Sequence, residues 1–176
     1  MAKISNLTSY PLITNLDKDD YVLITDKENA LQTKNASIEQ LQAFFGINTN
    51  TAKVTLASAS LLTLADTAVD LVAAPGVSKV IDVISIMFYL DAGSVAYDFG
   101  TGALPIKIGS EQLGSVSNSS TTINSATDAV FKPETPNSVT EVIAQNSALT
   151  LEAVANPTQG NGVLYANVFY RVLSVG

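Results

Sequence analysis

Residues 77–90 constrain the fold more than any other part of this sequence, because the run is apolar on both of its alternating faces. Such a strand is buried on both sides, in the centre of a sandwich or beneath a second subunit. The run is too short to cross a bilayer and contains Asp82. It therefore predicts a central β-strand. Its first face carries Val80, Ile84, Ile86 and Phe88, and its second face carries Ile81, Val83, Met87 and Tyr89.

A second long strand is predicted over residues 163–175, where apolar residues recur at every other position. Its predicted core positions are Leu164, Ala166, Val168, Tyr170 and Val172. Shorter strands are predicted at residues 68–72, 138–145 and 148–154, and one or two helical turns at residues 58–65. Several short strands at this spacing indicate a mainly β fold with an antiparallel β-sandwich or jelly-roll-like domain.

The N-terminal residues predict a small separate unit. Two short strands, residues 21–25 and 30–34, flank a turn sequence, and a helix follows. Ser37 and Gln40 have the spacing of a capping box at the start of that helix. One face of the helix carries Ile38, Leu41, Phe44 and Phe45. We therefore expect a ββα segment in residues 1–50 that packs on a partner, followed by the sandwich domain in residues 51–176.

Composition excludes several classes of function. The chain contains neither histidine nor cysteine, which removes Ser-His and Cys-His nucleophile pairs and thiolate metal sites. Its net charge is −7, with nine Lys plus Arg, so a basic face for nucleic acid or an anionic membrane is not expected. At 47% hydrophobic and 14% charged residues, the chain is typical of a protein whose surface another subunit covers. We expect a protein that is not an enzyme and needs no cofactor.

An acidic cluster at residues 17–20 has the residue types of a cation site. A calcium loop beginning at Asp17 requires glycine at its sixth position, where Val22 lies, although Glu28 agrees at the twelfth. A solvated turn before a strand is the favoured interpretation, and no metal ligand is predicted.

Two Gly-X-Gly sequences, residues 100–102 and 160–162, resemble phosphate loops only superficially. Neither precedes a predicted helix, and neither carries the lysine of a P-loop. Turns with positive φ explain them better.

Tyr165, Phe169 and Tyr170 have side chains that can stack on sugars, but packing is the favoured role, so host glycan binding is not indicated.

The second face of the 77–90 run predicts contact between copies of this chain. With the terminal strand, it gives six candidate interface residues: Ile81, Val83, Met87, Tyr89, Phe169 and Arg171. Arg171, the single arginine, has two interpretations. It forms an ion pair or backbone contact between subunits, or it is an exposed edge charge that discourages wrong strand pairing.

Two blocks of the sequence, residues 64–97 and residues 156–172, resemble a domain that recurs in virion structural proteins of tailed bacteriophages. Residues 4–45 are similar to the start of many phage fibre and spike proteins, where such segments attach an appendage to the particle. The resemblance implies a virion protein, assembled in the host cytoplasm, of the head decoration or head fibre type. It also implies a homotrimer and attachment to the major capsid protein or another virion protein. The candidate anchoring residues are Tyr21, Leu23, Ile38, Leu41, Phe44 and Phe45.

Two other functions stay open from the sequence. One is a tail or neck appendage of the same construction, with a glycan as its target. The other is a carbohydrate-active enzyme or calcium-dependent lectin on a sandwich fold, since sandwiches host all of these functions. A conspicuous pair of acids or a cluster of acids and aromatics in loops would favour the last class, and neither is apparent in the sequence.

Overall fold

The structure is a computed structural model that describes residues 20–26, 32–44, 49–134 and 144–175. The chain divides into two compact units, residues 1–48 and residues 49–176, which are described separately.

The first unit contains a β-hairpin followed by a helix. Strand β1 (Tyr21–Asp26) pairs antiparallel with β2 (Gln32–Ser37), and α1 (Ile38–Phe44) begins directly after β2. The predicted capping box is confirmed: the Gln40 backbone N–H donates to Ser37 Oγ at 3.1 Å, and the Ser37 N–H donates to Gln40 Oε1 at 2.9 Å. The sequence therefore places the start of this helix at the correct residue.

The second unit is built from two four-stranded antiparallel sheets. One has the strand order β3-β10-β5-β8 and the other β4-β9-β6-β7. Its elements are β3 (Asn50–Leu56), α2 (Ser58–Leu62), β4 (Val69–Val72), β5 (Lys79–Asp91), β6 (Leu104–Ile108), β7 (Glu111–Val116), β8 (Ala129–Phe131), β9 (Leu149–Leu151) and β10 (Val163–Ser174). The mainly β, sandwich-like prediction is confirmed. As predicted, β5 is an interior strand of its sheet.

One hydrophobic core joins the two sheets. Alternate residues of β5 and β10, among them Phe88 and Leu164, meet alternate residues of β6 and β9, among them Ile106 and Leu149. All four of these side chains are buried. Alternation therefore directs one face of each sheet inward and leaves the other face outside.

A β-bulge in β5 changes the phase of that alternation. Phe169 of β10 pairs with Ser85, but the next residue, Tyr170, pairs with Val83, so Ile84 is an extra residue. Before the bulge Ile81 and Val83 contact the core, whereas after it Ile86 contacts the core. The sequence prediction assumed one unbroken alternation and therefore grouped Ile81 and Val83 with Met87, which is wrong.

The predicted strands agree with β4, β5, β9 and β10, and the predicted helical turns with α2. Four strands were not predicted: β3, β6, β7 and β8. In the predicted strand at residues 138–145, residues 138–143 lie outside the described residues, while Gln145 lies in a turn.

Two loops of the second unit interlock at one end of the sheets. The Tyr97 hydroxyl donates to the Gly162 carbonyl oxygen at 2.6 Å, and Asn161 Oδ1 accepts the Val95 N–H at 2.9 Å. On the same loop, Asn156 Oδ1 accepts the Ala65 N–H at 2.7 Å. These hydrogen bonds join the two blocks of sequence that carry the phage resemblance, residues 64–97 and residues 156–172.

Of the two Gly-X-Gly sequences, the one at residues 100–102 begins in a turn and the one at residues 160–162 lies in a loop, and half of their glycines have positive φ. Gly100 and Gly160 have φ of 62° and 140°, as predicted. Gly162 is required by close approach, because a Cβ atom there would lie 2.7 Å from the Asp91 carbonyl oxygen.

Candidate assembly surface

The sheet that contains β5 presents three cross-strand rows on its outer face. The first row is Thr55, Tyr165, Tyr89 and Val130, the second is Lys53, Asn167 and Met87, and the third is Thr51, Phe169 and Ser85. These residues alternate along their strands with core residues such as Leu164 and Phe88, so they lie on the opposite face.

Exposed apolar residues follow the two central strands of this face. Ile84, Met87, Phe169 and Leu173 are between 39% and 50% exposed, and we call them the apolar strip. Ile84 is the extra residue of the bulge, next to Ser85, which pairs with Phe169, and Met87 lies three residues after Ile84 along β5. Single exposed apolar residues are ordinary on a protein surface, whereas several along neighbouring strands mark an interaction surface.

The outer face of the second sheet has a different character. Its central row consists of Asp70, Thr150, Lys107 and Gln112, which are paired across four strands. Lys107 Nζ also donates to Glu152 Oε2 at 2.5 Å, in a partly exposed ion pair. This face is typical of a sheet that faces water. The sandwich therefore has one polar outer face and one that carries the apolar strip.

Among the six predicted interface residues, Ile81 is fully buried and Val83 packs partly against the core. The bulge turns both side chains inward, so Ile81 is corrected from an interface residue to a core residue. Met87 and Phe169 are exposed, and Tyr89 is half-buried on the same outer face. Ile84 and Leu173 were missed, because an unbroken alternation assigns Ile84 to the core face.

Arg171 has a partner within its own chain. It pairs in register with Asp82 of β5, and its Nε donates to Asp82 Oδ2 at 2.9 Å, with a second bond from Nη2 to the same oxygen. This cross-strand pair differs from the free edge charge of one sequence interpretation, while a role of Arg171 in contact between subunits stays a prediction. The pair crosses the apolar strip between Phe169 and Leu173.

A groove lies on the same face, next to the apolar strip, where Asn167 pairs in register with Met87. Its volume is about 400 Å3, and its outward side chains are Lys53, Thr55, Tyr89, Asp91, Tyr165 and Asn167. We call it the tyrosine groove, since the Tyr89 and Tyr165 rings stack with centroids 5.8 Å apart and planes 19° apart. Partial desolvation and a 3.2 Å hydrogen bond to Asp128 raise the pKa of Tyr89 above its usual value. The sequence did not indicate this groove because β3 was not predicted.

The predicted anchoring residues lie in the first unit. Tyr21 is 71% exposed at the start of β1, and Ile38 and Leu41 are half-buried in α1. Leu23 lies in β1 and Phe44 ends α1, whereas Phe45 lies outside the described residues.

Within the described ranges, no three acidic residues come close enough to hold a metal ion. Of the acidic cluster at residues 17–20, only Asp20 belongs to these ranges. The described part of the chain also contains no helix with the length and apolar character needed to span a membrane.

Comparison with known proteins gives little similarity. No family model and no curated protein match the chain. A chain of the solved structure "Cyanophage Pam1 capsid asymmetric unit" is similar, with a TM-score of 0.38 and 14% sequence identity. The similarity covers 73% of this chain and 86% of that chain.

Proposed function

We propose that this protein is a non-enzymatic structural component of a tailed-phage virion, and that it assembles as a homotrimer through the apolar strip. The observation that carries the self-assembly proposal is the contrast between the two outer faces of the sandwich. One presents Asp70, Thr150 and Lys107 in a single row, whereas the other exposes Met87 and Phe169.

Burial of the apolar strip supplies the driving force for assembly. Each Å2 of apolar surface removed from water contributes roughly 25 cal/mol, before the entropic cost of association. A stable contact buries roughly 800 Å2 of surface on each partner, which is more than the surface area of the four side chains in the apolar strip. Neighbouring residues of the same outer face, such as Thr51 and Ser85 in the row of Phe169, therefore belong to the same interface.

The virion role rests on the sequence resemblance described above. The first unit acts as the anchor on the major capsid protein or another virion protein, and its exposed Tyr21 and Val22 are contact candidates. The second unit decorates the head or projects from it. The alternative position for the same construction is the tail or neck.

Immunogold electron microscopy of intact particles tests this location, using antibody raised against residues 51–176. Gold on heads is the expected result, and gold at the tail or neck supports the alternative position. Particles without gold would contradict a virion role.

A truncated chain tests the anchor separately. Residues 49–176 contain the whole core of the second unit, so this fragment should fold and assemble but fail to attach to particles. Attachment of the fragment at the level of the full chain would contradict the anchor proposal.

A further inference from the structure

We propose that the tyrosine groove binds a neutral glycan. The proposal is independent of the virion role, because it rests on the side chains of the groove, which adjoins the apolar strip where Asn167 pairs with Met87 but shares no residue with it. The groove combines an aromatic platform with polar groups of both hydrogen-bonding types, which are the two elements that recognise a pyranose ring.

The platform is formed by Tyr165 and Tyr89. Their rings are stacked at 5.8 Å, and the Tyr89 hydroxyl is bonded to Asp128 Oδ2, so the orientation of the pair is held before any ligand arrives. Preorganised rings lose little conformational entropy on binding. The C–H face of a sugar packs on such a ring as other apolar groups do, while its hydroxyl groups project sideways.

Polar side chains flank the platform on the neighbouring strand. Thr55 pairs in register with Tyr165, and Lys53 pairs with Asn167. Lys53 donates hydrogen bonds, Asp91 accepts them, and Thr55 and Asn167 do both. Sugar hydroxyl groups also donate and accept, so this mixture matches adjacent hydroxyls better than a lining of one type would.

The charges of the groove favour a neutral ligand. The formal charges of its lining residues Lys53 and Asp91 cancel, and Asp128 adds a negative charge beside Tyr89, so the groove disfavours an anion. A phosphate or nucleic-acid site needs several cations, and this chain has a net charge of −7.

The groove is suited to binding a glycan and not to cleaving it. Its volume of about 400 Å3 is within the usual range for a small-ligand site. Glycoside hydrolysis uses two carboxyl groups flanking the bond, and Asp91 is the single carboxylate among the lining residues. Asp128, nearby, accepts hydrogen bonds from the Tyr89 hydroxyl and the Ala92 N–H.

Saturation-transfer NMR on the full-length protein tests the proposal with neutral oligomers of glucose, galactose and N-acetylglucosamine. We expect at least one oligomer to receive saturation from the protein. Tyr165→Ala should weaken its affinity about tenfold or more, whereas Tyr165→Phe, which retains the ring, should keep most of it. Tyr21→Ala removes an exposed tyrosine of the other unit and should leave binding unchanged.

Three results would overturn the proposal. The first is no binding of any of these oligomers by the wild-type chain, and the second is equal binding by Tyr165→Ala. The third is dissociation of the assembly by Tyr165→Ala, which would make the groove a subunit contact. Light scattering on the wild-type chain and on Tyr165→Ala distinguishes this third result from a failure of the self-assembly proposal. In the third result the wild-type chain is an oligomer and Tyr165→Ala is not, whereas a failure of self-assembly makes the wild-type chain itself monomeric.

Discussion

The Tyr97 hydroxyl donates a 2.6 Å hydrogen bond to the carbonyl oxygen of Gly162, and this bond ties the loop after β5 to the loop before β10. The Tyr97 side chain is buried, and the ring lies against Gly160 of the same loop. The bond thus links the two longest strands of the second unit at the ends where their chains leave the sheet.

Alkaline pH should weaken the second unit through this tyrosine. Burial raises the pKa of Tyr97 from 10 to about 12. Since the neutral form is favoured in the folded state, its contribution is complete below pH 10 and is lost as pH rises through about 12. The free energy of unfolding should fall by about 2–3 kcal/mol over that window.

Denaturant unfolding at several pH values, with Tyr97→Phe for comparison, measures this effect. The variant should be about 1 kcal/mol less stable below pH 10, because it lacks the hydrogen bond. Its stability should decline less between pH 10 and 12. Parallel declines for the two proteins would show that Tyr97 does not carry the effect.

Gly160→Ala should destabilise the second unit by about 2–4 kcal/mol, since the added methyl group overlaps the Tyr97 ring. The φ of 140° adds backbone strain. Gly76→Ala is a matched control, with a φ of 100° but nothing within 4 Å of the added atom. We expect the control to cost about 1 kcal/mol. Equal losses in thermal or denaturant unfolding would refute steric overlap as the cause.

The Arg171–Asp82 pair should stabilise the protomer slightly. Because both side chains are partly exposed, a double-mutant cycle with Arg171→Ala and Asp82→Ala should give a coupling energy below about 1 kcal/mol. The pair crosses the apolar strip, so Arg171→Ala, which leaves the Asp82 carboxylate without this partner, should weaken assembly more than the double variant does. Equal assembly of the two variants by light scattering would show that the pair lies outside the interface.

Local patterns in the sequence predicted much of the fold. The Ser37–Gln40 capping box and the long strands β5 and β10 come from spacing alone, because each depends on neighbouring residues. Polar residues interrupt the apolar pattern of β3 and β7, β6 contains Pro105, and β8 has three residues, so these four strands were missed; pairing with a neighbouring strand stabilises them.

The candidate surface was only partly predictable for a related reason. A single inserted residue, Ile84, reverses the alternation of β5, and nothing in the local sequence marks it as bulged. The bulge is defined by the register with Phe169 and Tyr170, which lie far along the chain. As a result Met87 was placed on the correct face, whereas Ile81 was not.

Self-assembly through the apolar strip is the central claim, and light scattering coupled to size-exclusion chromatography tests it most directly. The wild-type chain should form a trimer, and Phe169→Asp should yield folded monomers, because it places a charge in the centre of the strip. Val83→Asp is a poorer test, since that side chain packs on the core. Gln112→Asp adds the same charge to the exposed polar face and should remain trimeric. A monomeric wild-type chain, or a trimer of Phe169→Asp, would contradict the claim.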